Sequence, residues 1–164
     1  MYVDQSSRAL AGGGIELVYD FVLLFRDGWS TWRMGTNVLE DPAADRAAKP
    51  ESWVRWRRNE KGEPERLIKD TWRAVPGYEH EQSAPGRTLS GEYVYSQTYA
   101  NGSITRFLTF TSNGQIAMGT KQGTYRIDGF VVTMAWSDGT TTKSTLVVYP
   151  GEDLVLLNGT GYVR

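Results

Sequence analysis

The sequence predicts an all-β protein built from antiparallel strands, and three of its features carry that reading. Glycine follows Asp or Asn at Asp27-Gly28, Asn101-Gly102, Asn113-Gly114, Asp128-Gly129 and Asp138-Gly139. Such pairs suit tight hairpins, because Gly lacks a Cβ and Asn or Asp tolerates the left-handed region. The runs between them are strand-sized and rich in Val, Thr, Tyr, Phe and Trp. They also alternate: Ile15, Leu17, Tyr19, Phe21, Leu23 and Phe25 are apolar at every second position, with Glu16, Asp20 and Arg26 among their partners, the period of a strand with one buried face.

In chain order, strands are expected at 15–26, 29–35, 52–58, 65–74, 88–99, 103–111, 115–120, 123–128, 130–137, 141–149 and 154–163. Eleven antiparallel strands form a barrel or a sandwich. Closure into an up-and-down β-barrel is favoured because open edges expose unpaired backbone groups and invite aggregation. A short helix or turn is expected near 42–48, where Asp41 can cap, Pro42 suits the first turn and Pro50 stops the run. Residues 1–14 read as a flexible N-terminal segment and 15–164 as a single barrel domain. Pro76 to Arg87 is irregular, either a linker between halves or a loop over a barrel mouth.

Composition excludes several classes. A net charge of −1 over 164 residues, without runs of like charge, gives no footprint for nucleic acid or an anionic membrane. With no cysteine and one histidine there is no disulfide framework, no thiolate and no Cys-based or two-His metal site. No phosphate loop, dinucleotide fingerprint or EF-hand occurs, so no cofactor is expected. The start of the chain lacks a basic, then apolar, leader pattern and no run reaches membrane-spanning length, which predicts a soluble, cytoplasmic protein.

The halves differ. Residues 1–85 hold 12 basic and 14 acidic side chains and five of the six Trp, whereas 86–164 hold 6 and 5, with Thr, Ser and Gly in their place. A weak echo links them: Leu24-Phe25-Arg26-Asp27-Gly28 with Met34-Gly35 resembles Phe110-Thr111-Ser112-Asn113-Gly114 with Met118-Gly119, followed by Trp56-Arg57 and Tyr125-Arg126. Duplication explains the echo, and so does convergence of hairpins on one turn chemistry.

From Leu89 the chain resembles a lipocalin-like (calycin) barrel. Leu89-Ser90-Gly91-Glu92-Tyr93 is similar to the Gly-x-Trp opening of that superfamily with Tyr for Trp. Leu108-Thr109-Phe110, Gly123-Thr124-Tyr125-Arg126-Ile127, Trp136-Ser137-Asp138-Gly139 and Gly161-Tyr162-Val163-Arg164 follow in the family's order. The resemblance covers about half the chain. It implies a closed antiparallel meander, a lumen for a small apolar molecule, and a basic residue of the last strand over the opening aromatic, here Arg164 over Tyr93. Strand candidates before Gly91 depart from the family pattern.

The candidate ligand-binding residues are Trp32, Met34, Tyr93, Tyr95, Arg106, Met118, Tyr125, Met134 and Trp136; no catalytic residue and no metal ligand is assigned. Arg106 interrupts the apolar row Ile104, Leu108 and Phe110, where a guanidinium either anchors a ligand carboxylate, snorkels, or pairs with an internal acid. Tyr93, Tyr95 and Tyr99 opposite Phe130, Val132, Met134 and Trp136 either line a cavity with aromatic surface or fill a core. Trp53 to Arg58 mixes Trp and Arg on both faces, which suits cation–π stacking or a planar ligand, with Glu51, Glu60, Glu63 and Glu65 at hand to neutralise it. His80, between Glu79 and Glu81, reads either as a loop general base or as a solvent-exposed histidine.

The leading functional reading is a barrel that binds a small hydrophobic molecule, with or without a carboxylate end, and has no nucleic-acid or membrane partner. The alternatives are a cofactor-independent cyclase or isomerase that shapes a flexible substrate, and a protein-interaction scaffold using the Trp/Arg ribbon.

Overall fold

The computed structural model describes residues 1–9, 15–34 and 38–164, the side chains of Arg8, Ala9, Ile15 and Met34 excepted. Its elements are β1 (Tyr2–Ala9), β2 (Ile15–Leu24), β3 (Trp29–Met34), α1 (Pro42–Ala48), a 3-10 turn (Pro50–Ser52), β4 (Trp53–Arg58), β5 (Pro64–Ile68), β6 (Thr71–Ala74) and β7 (Tyr78–Glu79). They are followed by β8 (Gly91–Tyr99), β9 (Gly102–Phe110), β10 (Gln115–Met118), β11 (Lys121–Asp128), β12 (Val131–Trp136), β13 (Thr141–Val148), β14 (Leu154–Leu157) and β15 (Thr160–Val163). Among the described residues no helix is long and apolar enough to cross a membrane.

The eight strands β8 to β15 form a closed antiparallel barrel in up-and-down order, sealed where Val163 of β15 pairs with Val94 of β8. Inward side chains fill its axis: Tyr93, Leu108, Phe110, Ile127, Val132, Met134 and Leu146 are almost wholly buried. The all-β class, the closed barrel and the short helix at 42–48 are as the sequence predicts. Asp41 caps α1 through Oδ1, which accepts from Ala43 N at 3.0 Å and Ala44 N at 2.9 Å.

The barrel does not begin at Ile15, however. Strands β1 to β7 form a separate sheet in the order β6-β5-β4-β3-β2-β1-β7. Residues 2–9, expected as a loose segment, pair along their whole length with β2. Tyr2 and Val3 are the only strongly apolar residues of β1, so its strand character comes from the partner rather than from its own pattern. Two expected strands are hairpins. The run 65–74 turns at Lys69 and Asp70, both at positive φ, and 154–163 turns at Asn158 and Gly159, with φ of 51° and 77°.

The N-terminal sheet curls until its distant strands meet. Val75, next to β6, packs against Tyr2 of β1 and Val22 of β2, and Arg58 of β4 lies 3.7 Å from Glu79 of β7. The inner face carries Tyr2, Val22, Ser30, Trp32, Val54, Trp56 and Arg66; the other carries Val3, Tyr19, Phe21, Thr31, Trp53 and Arg55. That second face docks on the barrel exterior, where Val3, Tyr19 and Phe21 form one apolar cluster with Val147 and Leu156.

The sequence echo has a hydrogen-bonded counterpart. Gly28 O accepts from Trp56 N at 3.0 Å, and Gly114 O accepts from Tyr125 N at 2.9 Å. In the sheet the Trp56 indole donates to Phe25 O at 2.7 Å, and in the barrel the Tyr125 hydroxyl lies 3.2 Å from Thr111 O. In each half an inward aromatic of the fourth strand thus closes the hairpin between the second and third.

Candidate functional site

The residues expected to line a barrel cavity mostly meet in the packed interior. Tyr93 is fully buried with its hydroxyl unpaired and sits edge-on to Phe110 at 5.9 Å. Met134 and Trp136 share that interior, the Trp136 indole donates to Thr142 Oγ1 at 2.9 Å, and Met118 packs against its edge. The Tyr125 hydroxyl accepts from Leu89 N at 2.7 Å and lies 3.0 Å from Leu89 O, tying the segment before β8 to the barrel. Burial raises the Tyr125 pKa, so this hydroxyl stays protonated and works as a structural clamp.

Tyr95 and Arg106 pair across β8 and β9 at one end of the barrel. The Arg106 guanidinium stands 5.7 Å from the Tyr95 ring and near the Tyr162 side chain, while Gln97 Oε1 accepts from the Tyr95 and Tyr99 hydroxyls. Arg106 is exposed, so its charge is solvated. Trp32 lies apart from this set, on the inner face of the curled sheet and 38% exposed. Met34 ends β3, and its side chain lies outside the described residues.

The Trp/Arg ribbon satisfies itself. Arg55 stacks 3.9 Å from the Trp29 ring, Arg57 stacks 4.2 Å from Trp72, and Arg57 pairs with Glu65 at 3.0 Å. His80 is buried, although the sequence suggests a solvated loop. Its backbone N–H donates to Met1 O at 2.8 Å, Ser83 bridges to Gly129, and the imidazole packs 4.4 Å from the Tyr149 ring.

The open space lies between the two units. A cleft of about 580 Å³ separates the docked face of the sheet from the outside of the barrel. Its apolar wall is Phe21, Leu23, Phe25 and Leu39 on one side and Phe130 and Val131 on the other, and Arg26, Gln82, Asp128 and Thr145 add polar atoms. Arg33 also lines it. Its terminal amino group pairs with Asp45, which the Trp53 indole and Lys49 hold in turn, leaving Nε–H buried with no acceptor. These contacts keep the Asp45 carboxyl below the usual carboxylate range, the Trp53 hydrogen bond first among the causes. Asp45 is therefore ionised and the Arg33 charge is balanced, so the missing partner at Nε is an acceptor rather than a full counter-charge.

Sequence reasoning missed this cleft because its walls, Phe21 to Leu39 and Phe130 to Val131, are distant in the chain and come from its two separate halves. The one local signal was Phe130, which starts an apolar run and here turns outward. Among the described residues no cluster of His, Cys, Asp and Glu is arranged to hold a metal ion. The architecture defines an eight-stranded up-and-down barrel carrying a docked, curled sheet. Comparison with protein-family models, with curated proteins and with solved structures finds no match.

Proposed function

We propose that this protein is a small-molecule binding module that holds an apolar molecule with an oxygen acceptor at one end, a carboxylate or carbonyl, in the cleft between sheet and barrel. The observation that carries the proposal is the buried, acceptor-less Nε–H of Arg33, a residue of the wall of a hollow whose aromatic and aliphatic sides are interrupted by a few polar groups. Leaving such a donor unpaired costs about 1–3 kcal/mol, which a ligand oxygen recovers. The volume supports it too, since small-molecule sites span about 300–1,000 Å³ and combine apolar walls with few polar groups. A lipocalin-like origin is part of the proposal. In support, the Arg164 guanidinium covers Gly91 so closely that an added Cβ would come within 2.8 Å of its Nε, two residues from Tyr93.

Isothermal titration with decanoate and methyl decanoate tests this, with Thr145→Trp as the control that fills the cleft from the barrel side. Saturable binding of either probe by the wild type, lost in Thr145→Trp at unchanged circular dichroism, is the expected result. Absence of saturable binding, or binding that survives the substitution, overturns the proposal.

A further inference from the structure

On the inner face of the curled sheet, away from the cleft, Arg66 is only 6% exposed. Its one hydrogen bond among the described residues runs from Nε to Ser30 Oγ at 2.9 Å, and its guanidinium stands 5.8 Å from the Trp32 ring. A serine hydroxyl does not balance a charge. The acids of this face do not pair with it: Glu79 accepts from the Tyr2 hydroxyl at 2.7 Å and faces Arg58, and neither Asp4 nor Asp20 forms a salt bridge with Arg66 among the described residues. No ion pair to Arg66 or to Arg73 occurs among the described residues. Moreover, Arg73 is the direct cross-strand partner of Arg66, so two guanidinium groups share one face of the β5–β6 ladder. Like charges directly opposite one another destabilise a strand pair, and a buried unpaired charge is costlier still.

We propose that Arg66, flanked by Arg73, Ser30 and Trp32, is a binding site for a small oxyanion, a carboxylate or a phosphate, inside the curled sheet. With Nε committed to Ser30, the two terminal nitrogens remain to take both oxygens of the anion, the geometry for which guanidinium is suited. Trp32 forms the wall beside it. Burial alone pushes the Arg66 guanidinium below its ordinary pKa, with no neighbouring carboxylate opposing it, and an anion would reverse that penalty. The site is independent of the cleft ligand, because it lies on the opposite face of the sheet.

The test uses the whole chain, with inorganic phosphate and benzoate as probes and chloride at equal ionic strength as control. Saturable binding should raise the wild-type Tm by about 3 °C at tenfold excess over Kd, and should shift the Arg66 Nε–H resonance. Arg66→Met should melt no lower than wild type in chloride and show no anion-specific rise; Arg73→Met should weaken the rise. A response to benzoate alone assigns a carboxylate, and to phosphate alone a phosphate. The proposal falls if wild type shows no saturable shift, if Arg66→Met responds equally, or if Arg66→Met loses the same stability with and without anions. Should Arg66→Met fail to fold, the wild-type resonance decides: no movement with either probe overturns the site.

Discussion

Gly161 of β15 lies directly beneath the ring of Tyr19 of β2: a Cβ at position 161 would stand 2.9 Å from Tyr19 Cε2 and 3.3 Å from its hydroxyl. The curled sheet rests on the barrel at this contact, and the absence of a side chain there sets how closely the two approach. Gly161→Ala should therefore overpack the interface and lower stability by about 1–3 kcal/mol in urea unfolding. Tyr19→Leu, which removes the crowded ring edge, should relieve part of that loss in the double variant. Additive losses would show that Tyr19 and Gly161 do not set the docking distance.

A second prediction concerns the hydroxyl clamp. Tyr125→Phe leaves the buried Leu89 N–H without its acceptor and removes the donor facing Leu89 O and Thr111 O. A loss of about 1–3 kcal/mol with an unchanged urea m-value is expected. Trp56→Phe removes the corresponding bond to Phe25 O in the other half, and its loss should be of the same order. A negligible effect of Tyr125→Phe would mean that water replaces the clamp.

Hairpins with Asp or Asn before Gly were legible because their conformation is a local property of two residues. Asn113-Gly114 and Asp138-Gly139 each sit at a turn with Gly at positive φ. The Lys69-Asp70 turn was not legible, since no glycine marks it and its first positive-φ position is held by Lys69, a residue that rarely adopts that region. Asn158-Gly159 was legible in principle but was absorbed into a long apolar run. Division of the chain into an open sheet and a closed barrel left only indirect marks, the change in charge density and the irregular stretch at 76–87, because closure depends on pairings such as Val163 with Val94 across 69 positions. For the same reason the alternation of β8, β9 and β12 showed which side chains point inward, yet left open whether they meet to fill the axis or stand apart to enclose a cavity.

Arg106 illustrates that limit. Its row predicts an inward guanidinium, and at this end of the barrel it stands near the Tyr95 ring and the Tyr162 side chain while remaining exposed. Arg106→Met should therefore change stability by no more than about 0.5 kcal/mol. Burial raises the Tyr162 pKa and the nearby Arg106 opposes that rise, so the substitution should move Tyr162 ionisation to still higher pH. Ultraviolet titration of the tyrosinate checks the direction; a downward move would contradict the contact.

The buried histidine gives a prediction with a definite sign. His80 has its pKa lowered from the ordinary 6.5, first by burial and then by the positive Met1 amino group, so the native state favours the neutral ring. Its Nε2 is buried without a partner, which means protonation would place a charge where nothing accepts it. In the unfolded chain the same ring takes up its proton at the ordinary pKa. The unfolded state thus binds more protons below 6.5, and stability that is fully present above that value should fall as pH drops from it toward the native pKa. His80→Phe keeps an aromatic ring against Tyr149, loses no hydrogen bond at Nε2 and cannot ionise. Thermal melts across this window should show a declining Tm for the wild type and a flatter curve for His80→Phe, with the two converging above the ordinary pKa once the mean packing difference is subtracted. Parallel curves would show that the acid sensitivity in this window comes from another group, and a steeper curve for the variant would mean that protonated His80 is stabilised in the fold after all.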